Sequence, residues 1–115
     1  MIDVGLSLDQ IIHRTIHLKQ VHKSGLEQGD MVIITTKNSV YTIRVLDQGW
    51  FLVHGGWFDR KGLSPMKTSI KGCTWGGSII KVDIIAACGL CLEFGNRVIT
   101  TPVKKVIVIP YNCQN

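Results

Sequence analysis

The chain has 115 residues, 45% of them hydrophobic and 18% charged, with 13 basic residues against 8 acids and a formal net charge of +5. This composition excludes a disordered polyelectrolyte and fits one compact domain over residues 1–115 with a core of its own. The basic excess permits a polyanionic partner, but the only adjacent basic pairs are Arg60-Lys61 and Lys104-Lys105, so charge alone defines no nucleic-acid site.

The first ten residues, MIDVGLSLDQ, carry acids before any basic residue and lack the apolar run of a secretory signal. No stretch reaches transmembrane length, so a cytoplasmic protein without a membrane partner is expected. In that setting Cys73, Cys88, Cys91 and Cys113 are expected as thiols rather than a disulfide framework.

An N-terminal helix is predicted over about residues 7–25. Ser7 can cap it, with Gln10 three residues on as in a capping box, and Leu6 and Ile11 occupy the positions of a hydrophobic staple. Leu8, Ile11, Ile12, Thr15, Ile16 and Leu18 share one side of a helical wheel, and Gly25 suits the C-terminal cap.

Beyond Gly29 the pattern becomes that of strands, from about residue 30 to 109. Met31–Thr36, Val40–Leu46 and Trp50–His54 are short and separated by the turns Lys37-Asn38 and Asp47-Gln48-Gly49, which predicts a meander. Residues 55–66, GGWFDRKGLSPM, read as a loop. Strands follow at 68–74, 78–85, 90–94, 97–101 and 103–109, with Gly95-Asn96 as a hairpin turn. The whole predicts a mainly β fold: a small antiparallel β-barrel or two-sheet roll of about seven or eight strands with one N-terminal helix.

Chemistry-bearing patterns are sparse. His13 and His17 lie four apart on the predicted helix but lack the glutamate of HExxH, and Cys88-Gly89-Leu90-Cys91 is a lone CxxC without a second pair. Neither makes a metal site, and no cofactor is expected. Residues 72–78, GCTWGGS, lack the lysine of a phosphate loop. A small enzyme using Cys73 or Ser78 as nucleophile, with His54 as base, is the alternative reading; nothing in the sequence assembles its acid–base partners. Residues 70–94, IKGCTWGGSIIKVDIIAACGLCLEF, resemble the second half of a PilZ domain, a β-barrel that binds cyclic di-GMP. Thr74 and Gly77 stand where that family has the serine and last glycine of its (D/N)xSxxG motif. Gly72 replaces the acid and RxxxR is missing, so the resemblance implies barrel geometry rather than the ligand.

The strongest functional pattern is the placing of tryptophan beside glycine: Gly49-Trp50, Gly55-Gly56-Trp57 and Trp75-Gly76-Gly77. If Trp57 and Trp75 line one cleft, they offer stacking surface. Backbone N–H groups at Gly55, Gly56, Gly76 and Gly77 then meet anionic atoms, and Arg60 and Lys61 add charge at the rim. Such a site suits a nucleotide, single-stranded nucleic acid or another planar anion. The competing reading makes both rings corner plugs. The expectation is a binding or assembly module, with apolar edge strands favouring a homo-oligomer.

Overall fold

The computed structural model describes residues 17–75 and 80–114, with side chains from Lys19 onward. Within them the chain forms eleven strands, one short helix and two 3-10 turns. The strands are β1 (His17–Leu18), β2 (Gln20–His22), β3 (Met31–Thr36), β4 (Val40–Val45), β5 (Phe51–Gly55) and β6 (Met66–Thr68). They continue as β7 (Ile70–Thr74), β8 (Ile80–Lys81), β9 (Ile84–Ala87), β10 (Cys91–Phe94) and β11 (Val103–Ile109). The helix α1 is Gly56–Arg60.

These strands build three antiparallel sheets: a six-stranded sheet in the order β1-β11-β3-β4-β5-β6, a three-stranded sheet β10-β7-β8, and the pair β2-β9. The expected mainly β, antiparallel architecture is present. Among the described residues the large sheet ends at β1 and β6 and does not close on itself. At both edges the chain breaks for a single residue, Lys19 or Ser69, and then enters one of the smaller sheets.

Alternation explains the strands. In β3 every second residue is buried, and Val32 and Ile34 point into the same core as Tyr41, Ile43 and Val45 of β4 and Phe51 and Val53 of β5. The meander β3-β4-β5 pairs as its turn signals require. Gln48 at φ 56° and Gly49 at φ 80° make the β4–β5 turn, where the Trp50 N–H donates to the Asp47 carbonyl at 3.1 Å. From the smaller sheets Ile70, Ile85, Leu92 and Phe94 close the other side of the core.

The structure corrects four expectations. Residues 7–16 of the predicted helix lie outside the described residues, and its remainder, residues 17–25, is β1, β2 and a 3-10 turn. There β11 and β9 offer strand edges that pair with residues 17–18 and 20–22, and Val21 is buried between exposed Gln20 and His22 as strand alternation requires. The loop 55–66 contains α1. The run 78–85 is split by a turn at Val82-Asp83 that ends β8 and starts β9, and residues 97–101 contribute only an isolated bridge, Ile99 to Glu93.

The C-terminal residues are tied down by polar groups. Buried Asp30 accepts the backbone N–H of Glu27 at 2.9 Å and of Tyr111 at 3.0 Å. Gln114 donates to the Gly29 carbonyl at 2.8 Å, and its own side-chain oxygen accepts from Arg44 at 2.8 Å. One carboxylate and one amide therefore satisfy the backbone where β11 meets the start of β3.

Candidate functional site

The segment Gly55-Gly56-Trp57 forms a tight corner between β5 and α1. Gly55 has φ 98° and Gly56 φ 48°. A Cβ at Gly55 would overlap the Val40 carbonyl oxygen, and one at Gly56 would overlap the Tyr41 ring. The pair is needed because β4 and its tyrosine pass directly against the turning backbone. The corner delivers Phe58, fully buried, into contact with Tyr41 at a ring separation of 6.3 Å, Trp57 at 5.2 Å and Phe94 at 4.9 Å, all edge-on.

The polar atoms of this corner are largely engaged. The Gly55 N–H donates to Asp59 Oδ1 at 2.9 Å and reaches Ser64 Oγ at 3.3 Å, and Ser64 Oγ donates to the same Asp59 oxygen. The Ser64 hydroxyl and then the Gly55 N–H hold the Asp59 carboxyl below its ordinary pKa. Arg60 donates to Ser39 Oγ at 3.1 Å, reaching back to the β3–β4 turn, and Lys61 is exposed. Trp57 is half-buried, and its backbone N–H meets the Tyr41 hydroxyl at 3.5 Å.

Trp75 lies elsewhere. Ile70 at the start of β7 pairs with Phe94, which touches Phe58. Trp75 follows five residues along, about 16 Å away at the usual rise per strand residue. Trp57 therefore stands in the aromatic corner after β5, and Trp75 just past the end of β7. Gly76 and Gly77, like Ser78, lie outside the described residues. Trp75 itself is 67% exposed. Beside it on the β7–β8 hairpin, Ile80 pairs with Thr74, and Val82 is 66% exposed at the turn that follows. Trp50, at the β4–β5 turn, is 41% exposed beneath Lys67 Nζ, which lies 5.3 Å from its ring centroid.

A cluster that the sequence did not reveal joins residues 61 apart. His22 Nδ1 meets Asp83 Oδ2 at 3.2 Å, Gln20 Nε2 lies 3.2 Å from His22 Nε2, and the Ser24 hydroxyl reaches Asp83 Oδ2 at 3.5 Å. The serine addresses the carboxylate and not the imidazole, so this is a clamp rather than a nucleophilic relay. It fixes β2 to the turn between β8 and β9, where the Lys23 N–H also donates to the Asp83 carbonyl at 2.7 Å. The Lys23 amine donates to the Ile70 carbonyl. Burial lowers the pKa of that amine, with Asp83 opposing the shift.

The cysteines are not in disulfides. Cys73 is buried in β7, and desolvation pushes its thiol up to about 11. At neutral pH it is a protonated core thiol without nucleophilic character. Among the described residues no group of three or more His, Cys, Asp or Glu side chains is placed to hold a metal ion. Among those residues, too, no helix is long and apolar enough to cross a membrane. No family model matches the chain, and neither the curated proteins nor the solved structures contain a match to it.

Two outcomes are expected from this geometry. Gly56→Ala places a methyl into the Tyr41 ring at a left-handed φ and lowers stability by about 2 kcal/mol or more in a urea titration, whereas Gly62→Ala, at φ 69° but with open space around it, costs less. Cys73 resists alkylation in native protein at pH 8 while exposed Cys88 reacts, as read by mass spectrometry of digests. Because burial holds the folded-state pKa of Cys73 above the ordinary thiol value of 9.0, its contribution to stability is fully present below pH 9.0. That contribution is lost as pH rises through about 11.

Proposed function

We propose that the protein is a non-enzymatic binding module, a small antiparallel roll that presents its β7–β8 hairpin to another protein chain. The observation that carries this reading is the grouping of Trp75, Ile80 and Val82, all exposed, on one hairpin at a sheet edge. Isolated exposed apolar side chains are ordinary, but a tryptophan accompanied by two aliphatic residues resembles the anchor of a protein interface.

Charge indicates the partner's chemistry. The same end of the molecule carries exposed Lys19, Lys81 and Lys104. Lys19 and Lys104 flank Cys88, whose N–H donates to the Lys19 carbonyl and which bridges to Val103, and the Cys88–Cys91 turn leads to the strand paired with Thr74. The nearby acids are engaged: Asp83 with His22, and Glu93 with Lys71 at 3.6 Å. A partner segment with an apolar anchor and acidic flanks complements this surface. Two copies meeting through the same patch would oppose their lysines, which favours a different protein over a second copy.

The planar-anion reading rests on Trp75 with these lysines alone, since the Gly55 N–H is held by Asp59 and Ser64. Ile80 and Val82 add nothing to base stacking, so a protein ligand accounts for more of the surface.

Selection from a displayed peptide library against the full chain tests the proposal. The wild type is expected to enrich peptides with a large apolar residue beside Asp or Glu, and Trp75→Ala to lose that enrichment at least tenfold with an unchanged urea midpoint. Equal enrichment by the variant overturns the reading. Saturable binding of a short single-stranded oligonucleotide that Trp75→Ala abolishes transfers the site to nucleic acid, and concentration-dependent sedimentation abolished by the same change transfers it to a second copy.

A further inference from the structure

The Cys88-Gly89-Leu90-Cys91 motif is folded into the reversal between β9 and β10. β9 ends at Ala87 and β10 begins at Cys91, so the two cysteines stand on either side of the turn. The Leu90 N–H donates to the Ala87 carbonyl at 3.0 Å, and Gly89 takes φ 89°, the left-handed backbone that such a turn requires. Val103 pins the turn twice: its carbonyl accepts the Gly89 N–H at 2.8 Å, and its N–H donates to the Leu90 carbonyl at 2.8 Å. The Cys88 N–H donates to the Lys19 carbonyl at 2.8 Å. The backbone between the two cysteines is already ordered, so joining them costs little further chain entropy.

The thiols differ in access. Cys88 is exposed, and its Sγ meets the Lys104 carbonyl at 3.6 Å. Cys91 is partly exposed, on the face of β10 opposite to fully buried Leu92. Cys73 is a buried, protonated thiol, and Cys113 lies beyond the far end of β11. We propose that Cys88 and Cys91 form a reversible redox pair, reduced in this structure and closed to an intramolecular disulfide by a low-molecular-weight disulfide. The Cys88 thiolate attacks one sulfur of that reagent. A mixed disulfide forms, the reagent's own S–S bond breaks, and one thiolate leaves. The Cys91 thiolate then attacks the Cys88 sulfur, expels the second thiolate and forms the Cys88–Cys91 bond. The two cysteines give up two electrons and two protons, and the reagent takes them up as two thiols. Cys88 makes the first attack because it is the more exposed member, and Cys91 resolves because the pinned turn holds it nearby. Exposed Lys19 and Lys104 adjoin Cys88 through these contacts, a basic setting that suits an anionic reagent such as oxidised glutathione.

Full-length protein equilibrated without oxygen in a series of reduced-to-oxidised glutathione ratios tests the proposal, with acid quenching, alkylation of the remaining thiols and mass spectrometry of digests. In the wild type the tryptic peptide 82–97, which holds both cysteines, is expected to lose two hydrogen masses in one reversible transition, while Cys73 stays reduced. Cys91→Ser is expected to halt at the mixed disulfide and to raise glutathione on Cys88 about tenfold over the wild type. Cys88→Ser is expected to carry less adduct on Cys91 than Cys91→Ser carries on Cys88, both variants keeping the wild-type urea midpoint when reduced. A wild type that stays reduced across the whole series overturns the proposal. So does one that accumulates the mixed disulfide without closing, that crosslinks two chains through Cys88, or that joins Cys91 to Cys73. Equal adducts on the two variants overturn the assigned order of attack.

Discussion

The edge-on contact of Phe58 with Tyr41 and Phe94 joins the separately paired sheets. Tyr41 belongs to the large sheet and Phe94 to the three-stranded one, and no strand pairing links those two elements directly. A fully buried phenyl ring between them replaces missing hydrogen bonds with packing, and aromatic truncation in such a site costs about 3–5 kcal/mol. Everything at the corner serves to place that ring. Gly55 and Gly56 take backbone conformations that side chains resist, because β4 leaves no room for a Cβ. Asp59 and Ser64 then secure the first N–H of the turn.

The same constraint divides the tryptophans by role. Trp57 is drawn against the aromatic group by its neighbour Phe58 and is half-buried there. Trp50 is held at a turn by the Lys67 ammonium. Trp75 has two-thirds of its surface exposed at the far end of β7, beside other apolar side chains that the core does not absorb. The three glycine–tryptophan pairs look alike in sequence, yet one ring packs against the core, one lies at a turn beneath a lysine, and one is exposed.

That contrast shows what the sequence made legible. The β3-β4-β5 meander could be read because its alternation and its turn residues agree locally, and each apolar residue there needs only the same inside face. The strands β1 and β2 could not be read: Leu18 and Val21 suit a helical spacing as well as strands, and the choice is made by the distant edges of β11 and β9. The aromatic corner was half legible. Gly55-Gly56 announced a turn, but that the turn is tightened by Tyr41 depends on a strand fifteen residues earlier. Of the expected ligand residues, Trp57 and Trp75 stand on different elements, and which of them the core absorbs is set by pairing that no local pattern encodes. The clamp of His22 on Asp83 was invisible for the same reason, since neither residue has a motif and they meet only through the pairing of β2 with β9.

The two Gly-Gly-linked tryptophans differ in environment: Trp57 packs against the core and Trp75 faces solvent. Tryptophan fluorescence of full-length protein carrying single retained tryptophans tests it most directly, with the others changed to phenylalanine and folding verified by the urea midpoint. With only Trp57 retained, the emission is predicted to be blue-shifted and poorly quenched by iodide. With only Trp75 retained, it is predicted to be red-shifted and quenched almost as readily as in a short peptide. Equal shielding of both rings, or a shielded Trp75 beside an accessible Trp57, would contradict the account.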